Sequence, residues 1–353
     1  MQITRKKTSV VRVGNVYIGS GFPIPIQSMT NTPTEDIKKT VRQIKSLEKE
    51  GCEIVRVAVR NMDSAVKLTD IKKRTNIPIV ADIHFNHRIA LRAIESGVDK
   101  IRINPGNIGG RARIKEVADR AKERGIPIRV GINSGSLEDE LLEKYGFPSP
   151  EALVESAMRN VKLLEDMDFE DIVVSIKSSS VNNTIESYRL ISEKTRHPLH
   201  IGLTEAGLPG SGTVKSAVTL GLLLAEGIGD TVRVSLTSSP LEEVRVAKRI
   251  LQALGLRTFG PEIISCPTCG RLQIDLISLT KEVERRLSGI NKNISISILG
   301  CAVNGPGEAR EADIGIAGGK GEGFLIKKGK FVRKVKEENL VDVLLEEIDD
   351  FPA

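Results

Sequence analysis

Three cysteines carry the most specific chemistry in the chain. Cys266 and Cys269 stand at C-x-x-C spacing in "SCPTCGR", and Cys301 follows in "LGCAVNGPGE". Three thiolates admit three readings. A redox-active dithiol needs only the C-x-x-C pair and leaves Cys301 without a role. A structural zinc closes with four Cys or His ligands, yet His84, His87, His197 and His200 all lie upstream of Cys266. An iron-sulfur cubane held by three thiolates leaves one iron open to an oxygen ligand or a substrate. Glu308, beyond Cys301, is either that oxygen ligand or a solvated loop acid, and "NGPG" supplies turns that bring backbone amides toward sulfur. Cys52, in "EGCEIVR", reads as a small buried hydrophobe.

A second set of reactive side chains is spread over strand-like runs. Alternate residues of a strand point to opposite faces, so in "KIRINPG" Arg102 and Asn104 oppose Ile101 and Ile103. The same parity sets Arg56 against Val55 and Val57, Arg129 and Asn133 against Ile128, Val130 and Ile132, and Lys177 against Ile172, Val174 and Ile176. Taken singly, each cation reads as half of an ordinary ion pair. Together, Arg56, Arg102, Arg129 and Lys177 repel one another unless an anion joins them, and the planar fork of arginine suits phosphate oxygens, so a diphosphate is the expected guest. Asp82 and His84 in "ADIHF" share inward parity and can orient each other, although a hydrogen-bonded structural role is the plainer reading for a lone histidine. Glu205 in "GLTEAG" shares parity with Ile201 and Leu203, which puts it where the strand has opened into its loop. It is a candidate general acid provided that desolvation keeps it protonated. Asn133 and Ser235 offer neutral hydrogen bonds.

The elements that must position these groups repeat. Eight β-branched runs, "IPIQSMT", "EIVRVAV", "PIVADIHF", "KIRINPG", "PIRVGIN", "DIVVSIKSS", "PLHIGLTE" and "TVRVSLTSS", alternate with amphipathic charged segments. No G-x-G-x-x-G follows the first run, and the even helix-strand spacing favours a closed ring over an open doubly wound sheet. The expected fold is α/β: a (β/α)8 TIM barrel over residues 1–258, opened by an N-terminal hairpin turning at Gly14-Asn15, with a small α/β cluster domain over 259–353. The second domain shows a helical pattern from Gln273 to Leu287, strand-like "ISISILG", "DIGIAG" and "GFLIKKGKFVRKV", and a final helix "EENLVDVLLEEI". An eighth barrel helix returns the chain to the face opposite the catalytic one. "LGLRTFGP" is too short to climb back past helices that span more than about twenty ångströms at about 1.5 Å per residue. A head-to-tail homodimer, each barrel capped by its neighbour's cysteine domain, is therefore expected.

Composition narrows the partners. Among 353 residues aromatics are 3% with no Trp, which argues against a base-stacking surface for nucleic acid. The net charge of +6 suits anionic small molecules or acidic proteins rather than a dedicated nucleic-acid face. No apolar stretch approaches a membrane span, and the start turns to strand-like alternation where a signal peptide would carry its apolar region, so a cytoplasmic protein is expected. Few, clustered cysteines fit a reducing compartment.

The joint set "SCPTCGR", "LGCAVNGPGE", "ADIHF", "RINPGN", "VGINSGSL", "SIKSS" and "GLTEAG" resembles the 4-hydroxy-3-methylbut-2-enyl diphosphate synthases, in their short two-domain form, over almost the whole chain. The resemblance implies a reductase with a [4Fe-4S] cluster that opens the ring of 2-C-methyl-D-erythritol 2,4-cyclodiphosphate and removes a hydroxyl with two electrons from ferredoxin or flavodoxin. It implies Cys266, Cys269, Cys301 and Glu308 as cluster ligands, and Arg56, Arg102, Arg129 and Lys177 toward the diphosphate. By the same resemblance Asp82, His84, Asn133 and Ser235 position the substrate and Glu205 donates a proton. The rival readings are a non-redox, metal-stabilised barrel transferase of the pteroate-synthase type and a binding protein for a phosphorylated regulator.

Overall fold

Glycines that close helices and β-branched runs that follow them alternate along the first two thirds of the chain, and that alternation builds a ring of parallel strands. The computed structural model describes residues 3–287, 289–290, 292–301 and 312–351. The chain divides into two compact units, Met1–Arg257 and Thr258–Ala353.

The first unit opens with a hairpin, β1 (Val11–Val13) and β2 (Val16–Ile18), paired antiparallel around Gly14, whose φ of +60° suits a residue without Cβ. Eight strands follow: β3 (Gln27–Met29), β4 (Ile54–Ala58), β5 (Ile79–Asp82), β6 (Lys100–Ile103), β7 (Ile128–Asn133), β8 (Ile172–Lys177), β9 (His200–Ile201) and β10 (Thr231–Val232). β3 to β8 pair in parallel in chain order and β9 pairs with β10. Parallel bridges Val174↔Leu199 and Ile26↔Val232 join the two sheets at both seams, which closes the barrel.

Helices lie between successive strands, and their starts are set by local chemistry. Asp36, Asn61, Asn86, Ser149, Ser180 and Ser239 each accept a backbone N–H at a helix N-terminus. The helix Ile37–Glu50 ends at Gly51, whose φ of 102° lets its N–H return to Glu48 and Leu47 carbonyls.

Residues of inward parity form two zones inside the ring. At its N-terminal end Ile54, Val80 and Val173 pack with Val11, Val13 and Ile18 of the hairpin into one apolar plug. Each such fully buried aliphatic side chain contributes about 1.5–3 kcal/mol. Above the plug, register sets Arg56 beside Val80, Asp82 beside Arg102, Arg102 beside Arg129, and Asn133 beside Lys177. A shift of one residue in any strand would turn its cation outward.

The second unit is a five-stranded sheet in the order β11 (Glu262–Ser265), β12 (Ser295–Leu299), β13 (Ile314–Gly319), β14 (Glu322–Lys327), β15 (Lys330–Lys336), parallel through β13 and antiparallel beyond it. Ile296, Ile298, Ile314 and Ile316 pack against the helices Leu276–Leu287 and Leu340–Asp349. The first of these helices starts three residues later than its periodicity suggests. The Gln273 N–H is taken by the Gly300 carbonyl, and the Asp275 carboxylate accepts the Ser278 N–H at 3.1 Å, so the chain turns before the helix begins. β11 was not expected, because four mostly exposed residues carry no two-residue alternation of burial.

Candidate functional site

Because the inward residues of β5, β6 and β7 continue into the loops that follow them, the barrel mouth is polar from its first layer. A cavity of about 320 Å³ opens there, lined by His84, Arg102, Asn104, Asn133, Thr204 and Glu205 among others. Of the residues singled out in the sequence, His84, Arg102, Asn133 and Glu205 line this cavity. Arg56, Asp82, Arg129 and Lys177 lie in the barrel behind it.

Arg102 organises the wall. Its Nη2 donates to the Gly131 carbonyl at 2.9 Å, and its Nη1 reaches Nε2 of His84 at 3.2 Å and Oδ1 of Asp82 at 3.4 Å. With its amide turned to satisfy both neighbours, Asn133 accepts from Arg102 Nη2 at 3.3 Å. Gly131 is required here, since a Cβ would stand 2.4 Å from Arg102 Nε. Asp82 also lies 3.7 Å from Arg56 Nε. Burial pushes its carboxyl up, but Arg56, Arg102, His84 and Arg129 together pull it down to about 2. Asp82 and His84 thus meet through the Arg102 guanidinium that both approach.

Deeper, the barrel holds more cations than the carboxylates beside them can neutralise. Arg129 is 1% exposed and Lys177 6% exposed, and the Nε and Nη1 of Arg129 and the Nζ of Lys177 have no hydrogen-bond partner among the described residues. Three more polar groups share this interior: Lys100 and His200, both at 0% exposure, and Arg233, whose Nε is likewise without a partner. Burial lowers the Lys177 ammonium well below its ordinary value, and Arg233, Arg56, Arg129 and Arg102 press in the same direction. Burial, Arg56 and Arg102 push Arg129 downward too, yet a guanidinium keeps its proton. Carboxylates answer only in part, through Asp82 and through Glu243, which sits 3.9 Å from Arg233. Buried unpaired donors are costly unless something else satisfies them, so the interior is built for an anion. The Ser235 hydroxyl is also without a partner among the described residues.

Glu205 stands apart from these groups in two ways. It is exposed at the cavity rim, in the loop after β9, and its φ of +52° is one that a side chain with Cβ adopts only at a cost. The barrel unit leaves it open to water.

In the second unit the thiols follow the ends of parallel strands. Cys266 comes directly after β11 and Cys301 two residues after β12. The Gly300 N–H donates to Cys266 Sγ at 3.2 Å, the kind of amide-sulfur bond that stabilises a thiolate ligand. Backbone and side-chain hydrogen bonds from Arg271 lower the exposed Cys269 thiol, which favours its ligating form. All three are free thiols, and Cys52 is buried, its thiol pushed up to about 12 by burial. Among the described residues no three Cys, His, Asp or Glu side chains converge to metal-ligating distance. Glu308 lies outside the described residues. The donor set, soft thiolates with an amide donor, fits an iron-sulfur centre in its chemistry.

Lys100, Arg233 and His200 escaped the sequence reading, although parity could have found them. Lys100 is two residues before Arg102, Arg233 two before Ser235, and His200 opposes Ile201 on β9.

Models of protein families match both units. The GcpE TIM-barrel domain matches residues 8–248, and the GcpE protein C-terminal domain matches residues 262–350. The chain is 60% identical over 347 residues to the 4-hydroxy-3-methylbut-2-en-1-yl diphosphate synthase (flavodoxin) of Clostridium perfringens, covering 98% of this chain and 99% of that one. It is 59% identical to the protein of the same description from Caldanaerobacter subterraneus, covering 98% and 97%. Among solved structures, dihydropteroate synthase from Stenotrophomonas maltophilia superposes with a TM-score of 0.52 at 13% identity, over 70% of this chain and 98% of that one. That likeness speaks for the barrel fold alone.

Proposed function

The chain belongs to the GcpE family of 4-hydroxy-3-methylbut-2-en-1-yl diphosphate synthases, and on that premise we propose that its barrel cations hold 2-C-methyl-D-erythritol 2,4-cyclodiphosphate for reductive ring opening. It is an oxidoreductase of the non-mevalonate isoprenoid pathway. The reaction takes two electrons and one proton: the ring carbon-oxygen bond breaks, the neighbouring hydroxyl leaves as water, and a cyclic dianion becomes an open trianion with a new carbon-carbon double bond. The observation that carries the reading is the set of buried donors on Arg129, Lys177 and Arg233 that have no partner among the described residues.

Each residue has a part in holding that anion. Arg56, Arg102, Arg129 and Lys177 take the diphosphate oxygens, arginine by paired donors and lysine as a point charge. Asp82 keeps Arg56 and Arg102 in place, and His84, Asn133 and Ser235 meet the substrate hydroxyls. Glu205 donates the proton that leaves in water, and because it is exposed it needs a cover that excludes bulk water. Cys266, Cys269 and Cys301, with Glu308, hold a [4Fe-4S] cluster. When bound, such a cluster supplies electrons one at a time and a Lewis-acidic iron for the departing oxygen.

The cover for Glu205 comes from a second copy, in a head-to-tail homodimer whose composite sites pair one barrel with the other's cysteine domain. Electrons come from flavodoxin, which the descriptions of the relatives name, and an acidic carrier suits a chain of net charge +6. No helix of the described residues is long and apolar enough to cross a membrane. The pteroate-synthase alternative has only the shared barrel in its favour.

One anaerobic assay tests the proposal: enzyme, the cyclodiphosphate and reduced flavodoxin, with product followed by mass spectrometry. Turnover with release of the open diphosphate is expected, and binding without reduction would refute the reaction. Mixing Cys301→Ser with Glu205→Gln protein tests the dimer. Recovery of activity on mixing is expected, and none would be seen if each chain completed its own site.

A further inference from the structure

Lys100 is the least explained charge in the molecule. It lies on the inward face of β6, at 0% exposure, and its register partner on β5 is Val80, a member of the apolar plug. Its Nζ has no hydrogen-bond partner among the described residues. The charged or titratable groups that bear on it are Arg129 from β7, Arg56 from β4 and His200 from β9. No carboxylate stands within ion-pair distance of it among the described residues, because Asp82 pairs with Arg56 and Arg102, and Glu243 with Arg233.

We propose that Lys100 is the barrel's charge adjuster: uncharged while the cavity holds no anion, it takes up one proton from solvent when a diphosphate enters. The proposal rests on the reading of the cavity as a diphosphate site.

Charge count supports it. Arg56, Lys100, Arg102, Arg129, Lys177 and Arg233 face two carboxylates, Asp82 and Glu243, so full protonation would leave four positive charges in one interior. A cyclic diphosphate dianion offsets half of that excess. The four guanidiniums cannot shed a proton, so the adjustment falls to a lysine. Lys177 keeps 6% exposure, stands beside Asn133 at the cavity end, and feels Glu243. Lys100 is fully buried and has no counter-charge among the described residues. Burial first, then Arg129 and Arg56, hold its ammonium well below its ordinary value, and an anion above Arg129 would lift it again. A neutral amine also removes one of the cations that bear on His200, whose two ring nitrogens have no partner among the described residues. Binding and proton uptake are then one linked event.

Calorimetric titration of the anaerobically purified full-length enzyme with inorganic pyrophosphate, in buffers of different ionisation enthalpy, reads that linkage directly. Near pH 8 the wild type is expected to take up about one proton per site more than either Lys100→Met or Lys100→Arg, the first always neutral and the second always charged. Pyrophosphate's own titration is common to all three and cancels in the difference. The wild-type Kd should also weaken about tenfold more per pH unit than that of Lys100→Met. Lys177→Met, which removes a diphosphate contact, should weaken binding yet keep the uptake per bound pyrophosphate. Equal uptake in wild type and both Lys100 variants, or loss of uptake in Lys177→Met alone, would overturn the assignment. Failure of every variant and the wild type to bind pyrophosphate would instead strike the diphosphate reading of the cavity.

Discussion

Nη1 of Arg102 lies 3.2 Å from Nε2 of His84. A guanidinium has donors only, so Nε2 accepts and the single ring proton sits on Nδ1. Burial lowers this imidazole, and Arg102 and Arg56 add to the effect against the pull of Asp82. His84 therefore enters the cavity as a neutral ring whose free N–H is the one turned away from Arg102. Below the ordinary value of 6.5 the unfolded chain binds a proton that the fold resists, so this group makes stability fall as pH drops through that value. Nitrogen-15 NMR at pH 7 should show a neutral ring protonated at Nδ1, and His84→Phe should flatten the acid side of the stability curve. An imidazolium at pH 7 would sink the assignment.

Asp82 does structural work before it does any chemistry. At 3% exposure it is the carboxylate shared by Arg56 and Arg102, at 3.7 and 3.4 Å. Asp82→Asn leaves both cations short of a counter-charge and should cost roughly 3–5 kcal/mol in urea unfolding near neutral pH. With a folded pKa of about 2 against an ordinary 3.8, the contribution is complete above 3.8 and fades as pH falls through 2. Added pyrophosphate should restore more stability to the variant than to the wild type, because the anion takes over the neutralising role. An equal gain in both proteins would show that Asp82 and the anion act on different cations.

How far the site can be read from sequence depends on which geometry each residue needs. Strand parity alone turns Arg102, Arg129 and Lys177 inward, and the barrel confirms that side for each of them. The same rule applied two residues earlier in "DKIRIN" reaches Lys100. A lysine at the closed end of a barrel is hard to accept from sequence, because nothing local shows that the hairpin β1–β2 seals that end. The meeting of Asp82 and His84 on Arg102 depends on the register between β5 and β6, which the runs do not print. Helix and strand limits in the second unit moved where tertiary hydrogen bonds, such as Gln273 to Gly300, competed with periodicity.

The thiol reading separates from the barrel reading by experiment. Cys266→Ser, Cys269→Ser and Cys301→Ser should each remove nearly all iron and inorganic sulfide from protein prepared without oxygen. Pyrophosphate affinity should stay within about twofold, since among the described residues the barrel cations and the thiols have no partner in common. Glu308→Ala, which keeps the three thiolates, should retain iron. Stoichiometric zinc without sulfide in the wild type would leave the barrel intact and end the case for an iron-sulfur reductase.

Glu205 offers a test in which stability and activity part company. Its φ of +52° costs a residue with Cβ about 1–2 kcal/mol, a penalty that glycine avoids. A strained residue at the rim of a cavity is kept for what its side chain does there. Glu205→Gly should unfold no earlier than wild type, and Glu205→Gln, which keeps the strain, should unfold at the same temperature. Both should lose turnover by about 10²–10⁴-fold, the usual contribution of a positioned acid, with little change in pyrophosphate affinity. If Glu205→Gln turns over at the wild-type rate, the proton that leaves with water comes from another group. The strained loop then serves only to shape the rim.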